Sequence, residues 1–505
     1  MESGNFELDV ARFIVEKTER SLFLTGKAGT GKTTFLRDVV RHTEKKCIVL
    51  APTGIAAVNA GAMTIHSFFQ FGIGPYIPGL IEPQSGFRMN KSKLELIRNL
   101  QLLIIDEVSM VRADLMDHID VTLRRIRRNS KPFGRVQLLM IGDLQQLPPI
   151  AHGDEEDILR QHYKTLYFFS SRALKSTEYC CIELKNVYRQ TDRHFIDILN
   201  HARNCCLTTQ DLADLNARFL PGFTPPPEEG YIRLMTHNRQ VDSINADEMS
   251  RLDSRPYTFV ADVKGTFPEE SYPTTSCLTL KKGAQVMFIK NDPEKRFING
   301  TLGEVVGIDN DSLSVRLTGS GKVIDVEPMV WQNIRYQFAE DSNEISSKQI
   351  GHFRQYPLKP AWAITIHKSQ GLTFDKAIID IYAAFSPGQA YVALSRCRTL
   401  EGLVLNSPVS ASVFIRNNAV EAYISYISQD INDLAFSLGY EHFEYEKTDE
   451  PKEPAPEEPE PKKQVELLDV PGIGPAKVNA YGKELIGIVI SHQDDEIQDE
   501  TNKLL

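Results

Sequence analysis

The chain has 505 residues, of which 41% are hydrophobic and 25% are charged, as in ordinary globular proteins. This length predicts about three or four domains, with enough apolar material for more than one core. No stretch approaches the roughly 18 apolar residues that a membrane-spanning helix needs. The N-terminal residues also lack the apolar segment of a secretory signal. Membrane-spanning and secreted classes are therefore not expected.

Charge is distributed unevenly along the chain. The net charge is −10, but the residues after Tyr440 hold 17 acidic and 7 basic side chains, so residues 1–440 are neutral overall. A neutral body can still carry a local basic groove, so bulk charge neither supports nor excludes a nucleic-acid ligand. The seven cysteines include no CxxC pair, which argues against a disulfide framework or a zinc site.

Residues 1–440 predict an α/β body. Short apolar runs alternate with amphipathic segments, and these runs include SLFLTG, CIVLAP, LQLLIIDE, VQLLMIGD, YIRLMT and KAIIDI. Such runs predict buried parallel strands joined by crossover helices, so we expect two doubly wound α/β domains. Residues 275–355 alternate instead on a period of two with Gly, Asn and Asp turns. This pattern predicts a small antiparallel barrel inserted into the second domain.

The first chemical motif is GKAGTGKT at residues 26–33, between a predicted strand and a predicted helix. Glycines in this setting let backbone N–H groups cradle phosphate oxygens, while Lys32 reaches the β- and γ-phosphates and the Thr33 hydroxyl binds Mg²⁺. An ordinary glycine turn is the alternative, and the strand–loop–helix context argues against it. The predicted nucleotide-binding positions are Gly26, Ala28, Gly29, Thr30, Gly31, Lys32, Thr33 and Thr34.

Two further strands are predicted to end beside the phosphates. QLLIIDE places Asp106 at a sheet edge, where it would hold Mg²⁺ through water, and Glu107 beside it, where it would orient or deprotonate the attacking water. QLLMIGDLQQLPP places Gln146 at the next edge, where it could bond a γ-phosphate, although a plain polar loop is also compatible. These elements alone indicate a P-loop NTPase, a class that includes kinases, GTPases, transport ATPases and helicases.

The order of motifs selects among these classes. APTGIAAVNAGAMTIHSFF, LIIDEVSM and GDLQQLPP resemble the motifs of superfamily 1 helicases, and residues 114–149 resemble the signature segment of the PIF (petite integration frequency) family, relatives of the RecD helicases. LKNVYRQTDRHFIDILNHAR, AWAITIHKSQGLTFDKAIID and GQAYVALSRCRTLEGL continue the set in family order. The resemblance covers about residues 20–405, and a run of ordered motifs is more specific than any single one.

The resemblance implies an α/β fold of two RecA-like P-loop NTPase domains with ATP in the cleft between them. It also implies a small SH3-like β-barrel and a wedge-like insertion in the first domain. Separately, the Pro/Glu-rich residues 448–463 predict an extended linker, and the apolar pattern with a Pro-Gly-Ile-Gly turn beyond them predicts a short α-helical tail module. The boundaries expected are 1–183 for the first domain with its insertion at about 70–95, 184–296 and 356–440 for the second, 297–355 for the barrel, 441–463 for a Pro/Glu linker and 464–505 for the tail.

The resemblance also assigns residues that the local pattern does not. Arg189 and Arg396 would reach the γ-phosphate from the second domain, and Gly371 would lie near the phosphates. Spread negative charge in a transition state favours such fixed guanidinium groups. The positions expected to contact single-stranded DNA are Thr53, Gly54, His66, Phe68, Thr365, His367 and Lys368. Structural packing is the alternative for each of them.

Other features keep two interpretations open. Arg124, Arg125, Arg127, Arg128 and Lys131 either form a solvated helix end or contact DNA. The family's adenine-reading glutamine is absent upstream of residue 26, where Asn5 is the only amide, so the adenine pocket is not assigned. The tail resembles a helix–hairpin–helix module, which could bind a DNA phosphate or a protein partner.

The expected function is that of an ATP- and Mg²⁺-dependent DNA helicase that moves 5′→3′ on single strands and unwinds duplexes, forks or structured DNA such as quadruplexes or R-loops. Roles in repair, recombination and telomere maintenance follow from the same resemblance. We expect a monomer in the cytoplasm near the bacterial nucleoid, or in the nucleus or mitochondrion of a eukaryote. Two alternatives are an ATPase that remodels protein–DNA complexes without separating strands, and a scaffold on a degenerate motor fold.

Overall fold

The computed structural model describes residues 5–72, 74–79, 89–151, 154–190, 192–226, 229–269, 272–309, 312–339 and 344–440. The linker and tail module predicted for residues 441–505 lie outside this range, as does much of the predicted wedge at residues 70–95. Within the described residues, no helix combines the length and the apolar character required to cross a bilayer.

The first domain is a parallel sheet with helices on both faces. Its elements are α1 (Phe6–Lys17), β1 (Ser21–Gly26), α2 (Lys32–His42), β2 (Cys47–Ala51), α3 (Gly54–Ala60), β3 (Met63–Thr64), α4 (Ile65–Phe69), α5 (Lys91–Asn99), β4 (Leu102–Ile105), α6 (Ala113–Arg127), β5 (Gln137–Ile141), α7 (Asp154–His162), α8 (Arg172–Lys175) and β6 (Tyr179–Leu184). The strand order is β3-β2-β4-β5-β1-β6, and every pairing is parallel.

Alternation along each strand divides the apolar side chains of this sheet between two cores. In β4, Leu103 and Ile105 join the core under α5 and α6, while Leu102 and Ile104 join the core under α1 and α2. A strand that is covered on both faces must be apolar throughout, which explains the unbroken LLII run. The two strands that precede the predicted polar motifs, β4 and β5, pair in parallel. The polar residues that follow these strands therefore lie at the same edge of the sheet.

The remaining elements build the second domain and a smaller antiparallel part. They are α9 (Arg193–Arg203), α10 (Thr209–Asn216), β7 (Ile232–Met235), α11 (Asn238–Arg251), β8 (Tyr257–Val260), β9 (Asp262–Gly265), β10 (Cys277–Leu280), β11 (Gln285–Phe288), β12 (Leu302–Ile308), β13 (Leu313–Leu317), β14 (Val323–Asp325), β15 (Met329–Ala339), β16 (Glu344–Gln355), β17 (Leu358–Pro360), β18 (Ala363–Thr365), β19 (Ala377–Ile379), α12 (Gln389–Leu394), β20 (Leu403–Leu405), α13 (Asn418–Ile427) and α14 (Ile431–Ser437).

The second parallel sheet has the order β18-β7-β19-β20. An antiparallel sheet with the order β14-β13-β12-β11-β17 lies between β7 and β18 in the chain. It begins at Gln285 and ends at Pro360, so it extends beyond the 297–355 expected for the barrel. A separate core that includes Val286, Val305 and Leu358 supports it.

The C-terminal helices α13 and α14 pack on the first domain, although the expected boundaries assigned residues 356–440 to the second. Val420 of α13 is part of the core under α5 and α6, and Leu434 of α14 is part of the core under α1 and α2. The Tyr423 ring stacks on Phe169 at 4.0 Å between centroids, and its hydroxyl lies 2.7 Å from that of Tyr179. Residues 418–437 thus pack as a strap across both faces of the first sheet.

Candidate functional site

The loop between β1 and α2 has the backbone shape that its glycines permit. Gly29 and Gly31 adopt φ values of 82° and 87°, which favour glycine over residues with a side chain. A Cβ at Gly29 would also lie 2.5 Å from the Cβ of Arg189, so the loop and the segment after β6 pack with no room between them. Gly31 is the N-cap of α2, which leaves the first N–H groups of that helix without a capping side chain.

Lys32 begins α2 and folds back over the loop. Its Nζ donates to the carbonyl oxygens of Gly26 at 2.6 Å and Lys27 at 2.9 Å. Burial lowers the pKa of Lys32, and the carboxylates of Asp143 and Glu107 oppose that shift. Thr33 and Thr34 follow it on the exposed side of the first helical turn, while Ala28 and Thr30 are buried in the loop. The loop thus forms the predicted cradle, with a buried ammonium at its centre.

Asp106 and Glu107 follow β4 at the carboxyl edge of the sheet, as predicted. The backbone N–H of Glu107 donates to Asp106 Oδ1 at 3.0 Å, and Glu107 adopts a left-handed φ of 50°. This unusual backbone conformation for a residue with a side chain is typical of constrained functional positions. Burial raises the pKa of both carboxyl groups, and the pKa of Glu107 rises to about 7 because it is buried and lies beside Asp106.

Gln146 lies beyond β5 in a buried polar group that reaches the second domain. Its Nε2 donates to Asp143 Oδ2 at 3.1 Å, and Arg203 at the end of α9 donates to Asp143 Oδ1 at 3.0 Å. The Arg203 guanidinium holds the pKa of Asp143 below its usual value despite the burial of that carboxylate. Arg203 was not predicted, because an arginine near a helix C-terminus has an ordinary structural explanation.

Gln370 is a second residue that the sequence did not single out. It lies in the turn after β18, and its Nε2 donates to Glu107 Oε2 at 2.9 Å and reaches Gln146 Oε1 at 3.5 Å. One amide from the second domain therefore contacts two predicted catalytic positions of the first. Gly371, which follows it, adopts a φ of 81° and is exposed, and the turn would be strained with a side chain there.

Arg396 approaches the cleft from the second domain and is fully buried. Its guanidinium donates to the carbonyl oxygens of Val392 at 2.9 Å, Leu372 at 3.3 Å and Ser369 at 3.5 Å, and to the hydroxyl of Ser395 at 2.8 Å. Burial lowers the pKa of Arg396 to about 9, with a further contribution from the neighbouring Arg189. Arg189 donates to the Ser395 carbonyl at 3.4 Å, so the two guanidinium groups share one pocket.

Lys32, Arg189 and Arg396 together form a cluster of positive charge, in which Arg396 is buried and the other two are half-buried. None of the three has a carboxylate within ion-pair distance among the residues that the structure describes. Burial lowers the pKa of each, which means that their charged forms are poorly solvated where they lie. Charged groups are seldom buried without compensation, so an arrangement like this one favours a polyanionic ligand.

Two further contacts join the second domain directly to the phosphate loop. The Tyr391 hydroxyl of α12 accepts a hydrogen bond from the backbone N–H of Ala28 at 3.0 Å. Gly388, which precedes α12, packs so closely on the Gln146 segment that a Cβ there would lie 2.1 Å from the Gln146 carbonyl oxygen. The second domain thus packs directly on the phosphate loop and on the Gln146 segment at these two points.

The predicted DNA contacts in the first domain divide into two groups. Thr53 and Gly54 start α3 at the carboxyl end of β2, and a Cβ at Gly54 would meet nothing within 4 Å, so backbone groups there are open to a ligand. His66 is half-buried, and burial lowers its pKa. The prediction that Phe68 stacks on a base is wrong in this structure. Its ring is fully buried in the core under α5 and α6, with the Lys93 ammonium 3.5 Å from the ring centroid.

The predicted contacts in the second domain lie on one short turn. Thr365 is buried, and its Oγ1 accepts from the backbone N–H of Lys368 at 3.3 Å. His367 is half-buried, whereas Lys368 is exposed and faces solvent. Lys368 is therefore the cation of this group that a DNA phosphate could reach, and Thr365 stabilises the turn by accepting the backbone N–H of Lys368.

The structure resolves part of the ambiguity over the basic run at the end of α6. Arg127 donates to the carbonyl oxygens of Ile97 at 2.9 Å and Leu100 at 2.8 Å, so it caps the C-terminus of α5. Arg124 pairs with Asp120 at 2.8 Å. These two arginines are structural, while Arg125 and Arg128 are exposed.

The upstream amide, Asn5, lies at the N-cap of α1. Its side chain accepts from the backbone N–H of Leu8 at 3.3 Å and donates to the Tyr188 hydroxyl at 3.3 Å. Tyr188 is 62% exposed and lies against Gly31 of the phosphate loop. Asn5 is thus close to the phosphate loop and in contact with an exposed ring, a position that the local sequence did not indicate.

Comparison with known proteins identifies the family. A model of the PIF1-like helicase family matches residues 7–210. The chain is 36% identical over 398 residues to the ATP-dependent DNA helicase PIF1 of Danio rerio. The aligned region covers 76% of this chain but only 58% of that relative. The chain therefore spans little more than half the length of this relative.

Solved structures extend the match to most of the chain. The crystal structure of Bacteroides sp Pif1 in complex with ADP-AlF4 is 40% identical, with a TM-score of 0.77, and covers 86% of this chain and 97% of that one. Bacteroides Pif1 bound to ssDNA is 41% identical, with a TM-score of 0.62, and covers 83% of this chain and 96% of that one. The predicted class of two RecA-like α/β domains is confirmed, while the SH3-like character of the small sheet stays a prediction. The chain belongs to the PIF1-like helicase family.

Proposed function

We propose that this chain is an ATP-dependent DNA helicase that moves 5′→3′ along single-stranded DNA and separates duplex or structured DNA. The observation that carries the proposal is the cluster of buried and half-buried cations, contributed by both domains, around the phosphate loop and the carboxylates at the edge of the first sheet. Relatives with solved structures bind ADP-AlF4 and ssDNA, which supports the same assignment here.

The residues present fit a bound nucleotide with Mg²⁺. The N–H groups of the loop from Gly26 to Thr34 would cradle the phosphates, and the Lys32 ammonium would exchange its two carbonyl acceptors for phosphate oxygens. Thr33 and Asp106 would hold Mg²⁺, directly and through water respectively. The metal, when bound, neutralises phosphate charge. Tyr188, exposed above the loop, offers a ring for the base, with Asn5 holding its hydroxyl.

Hydrolysis would be divided between the two sides of the cleft. Glu107 accepts the proton of the attacking water, and Gln146 holds a γ-phosphate oxygen. Arg189 and Arg396 stabilise the charge that develops on the transferred group, from a site where low dielectric strengthens the interaction. Because the arginines belong to the second domain, hydrolysis would weaken their hold and let the cleft open.

DNA would run across the carboxyl edges of both sheets. The backbone groups at Thr53 and Gly54 and the exposed Lys368 are suited to phosphate contacts, and such contacts bind without regard to sequence. His66 is a third candidate contact in the first domain. The strand would move if the first-domain contacts and the Lys368 contact of the second domain bound and released DNA in alternation. We further propose that the protein acts as a monomer in the compartment that holds the DNA, and that the tail at residues 464–505 binds a partner.

An assay of overhang preference tests the direction and the strand separation together. The expected result is ATP-dependent unwinding of a duplex with a 5′ single-stranded overhang and little unwinding of the same duplex with a 3′ overhang. Strand release is measured by gel electrophoresis or fluorescence. Unwinding from the 3′ overhang alone would refute the direction. ATP hydrolysis without strand release on either substrate would instead favour a translocase that remodels protein–DNA complexes.

The metal prediction has a separate test. Chelation of divalent cations is expected to reduce DNA-stimulated ATP hydrolysis to background, and added Mg²⁺ should restore it. Asp106→Asn should raise the Mg²⁺ concentration needed for half-maximal activity by about tenfold or more, because a neutral amide polarises the bound water less. An unchanged Mg²⁺ requirement in that variant would remove Asp106 from the metal site.

A further inference from the structure

The turn from Ile366 to Gly371 joins the predicted DNA surface to the predicted hydrolytic site. Lys368 is exposed at one end of the turn, and Gln370 is buried at the other, with its amide on Glu107 and Gln146 of the first domain. Two residues separate a solvent-facing cation from the carboxylate proposed to activate water. Local sequence gives no hint of this connection, because Glu107 and Gln370 lie 263 positions apart.

The turn is held as a rigid unit by its own hydrogen bonds. The backbone N–H of Lys368 donates to Thr365 Oγ1 at 3.3 Å, and the Ser369 hydroxyl donates to the Ile366 carbonyl at 2.7 Å. The backbone N–H of Gln370 donates to the His367 carbonyl at 3.3 Å. Because these hydrogen bonds link Lys368 to Gln370 within one short turn, we expect a displacement of Lys368 to move Gln370 as well.

The contact between Gln370 and Glu107 opposes the proposed role of that carboxylate. The Gln370 amide lies on Glu107 Oε2 at 2.9 Å and occupies the position from which a water would approach that oxygen. Gln370 is 7% exposed, so solvent does not compete for this hydrogen bond. Gln146, the predicted γ-phosphate contact, is approached by the same amide.

We propose that Gln370 is a positioning residue that holds Glu107 and Gln146 inactive while the DNA surface of the second domain is empty and releases them when a DNA phosphate binds at Lys368. The inference rests on the proposed function and adds its regulation: it explains how single-stranded DNA stimulates ATP hydrolysis. The opposite arrangement, in which Gln370 orients Glu107 for catalysis, makes a different prediction for the same variant.

Gln370→Met tests the proposal, since methionine keeps the volume and length of the side chain but removes the donor. In the absence of DNA, kcat for ATP is expected to rise by about tenfold, as a hydrogen bond to a charged group is worth about one order of magnitude or more in equilibrium. The rate with saturating oligo-dT should change little, so the ratio of stimulated to basal rate falls by about tenfold. KM for ATP should stay within about twofold.

The matched control is Gln210→Met, the same substitution on the exposed surface of α10. There the amide donates to Asp214 at 2.8 Å, and Gln210 is exposed to solvent. Its basal rate and stimulation ratio should equal those of the unaltered protein. Gln370→Asn, whose shorter side chain cannot span the distance to Glu107, should behave as Gln370→Met does and excludes an effect peculiar to sulfur.

The possible results separate this inference from the function on which it rests. We call the proposed inhibition of Glu107 and Gln146 by Gln370 the latch. If DNA does not stimulate ATP hydrolysis by the unaltered protein, the proposed function and the latch are both wrong. If it is stimulated and Gln370→Met lowers kcat equally with and without DNA, the proposed function stands and the latch is wrong, because Gln370 then orients Glu107. An unchanged stimulation ratio in both Gln370 variants would also overturn the latch.

Discussion

Replacing Arg396 by lysine is expected to lower kcat for DNA-stimulated ATP hydrolysis by roughly a thousandfold or more, the range associated with loss of an arginine that stabilises a transferred phosphoryl group. Lysine keeps the positive charge, but it cannot keep the planar fork that donates to Val392, Leu372 and Ser369 while also facing the cleft. Steady-state turnover with saturating oligo-dT measures the effect.

The control for this variant is Arg398→Lys, two positions along the chain. Arg398 is exposed and pairs with Asp375 at 2.9 Å, so the substitution should change kcat by less than about twofold. Because Arg396 is fully buried, thermal unfolding of both variants must also be compared. A well-folded Arg396→Lys protein that retains a tenth or more of the normal kcat would contradict the assignment.

The parts of the site that lie close together in sequence could be predicted from it. The phosphate loop needs only eight consecutive residues between a strand and a helix, and the strands before Asp106 and Gln146 are unbroken apolar runs. Each of these signals is local, and parallel strands bring their carboxyl ends to one edge of a sheet. The fold of both domains followed from the same apolar runs.

Residues that act across the cleft could not be found in this way. Gln370, Arg203 and Tyr391 each contact the first domain from the second, and nothing in their local sequence distinguishes them from surface residues. Only the family resemblance located Arg189 and Arg396. Long-range pairing depends on how the two domains meet, which hydrophobic periodicity does not encode.

Two errors have physical explanations in the packing of particular residues. Phe68 and Phe69 are adjacent and both fully buried. The short helix α4 places the Phe68 ring against the Lys93 ammonium and the two rings against each other, with centroids 4.8 Å apart. A short helix gives too few turns to tell a core aromatic from an exposed one. Likewise, an amphipathic pattern in α13 shows that one face is buried, but not which domain buries it.

Replacing Glu107 by glutamine is expected to lower kcat by about a hundredfold to ten-thousandfold, the contribution of a positioned general base. Glutamine has the same size, and its carbonyl oxygen can still accept the hydrogen bond from Gln370. Nucleotide binding should therefore persist, and binding of a fluorescent ADP analogue should remain within about threefold of normal. Turnover and binding are measured on the same preparation, with Glu178→Gln, at an exposed position before β6, as the control.

The effect of this substitution on stability separates a catalytic role from a structural one. Burial raises the pKa of Glu107 from 4.5 to about 7 in the folded state. Between these two pH values the unfolded state loses the Glu107 proton while the folded state keeps it. The carboxylate therefore disfavours folding increasingly as the pH rises toward neutrality. Glutamine has no such charge, so the free energy of unfolding at pH 8 should be unchanged or larger. A protein that loses turnover while gaining stability retains its fold, and the loss then belongs to the chemistry. A variant that loses both would show that Glu107 supports the structure instead.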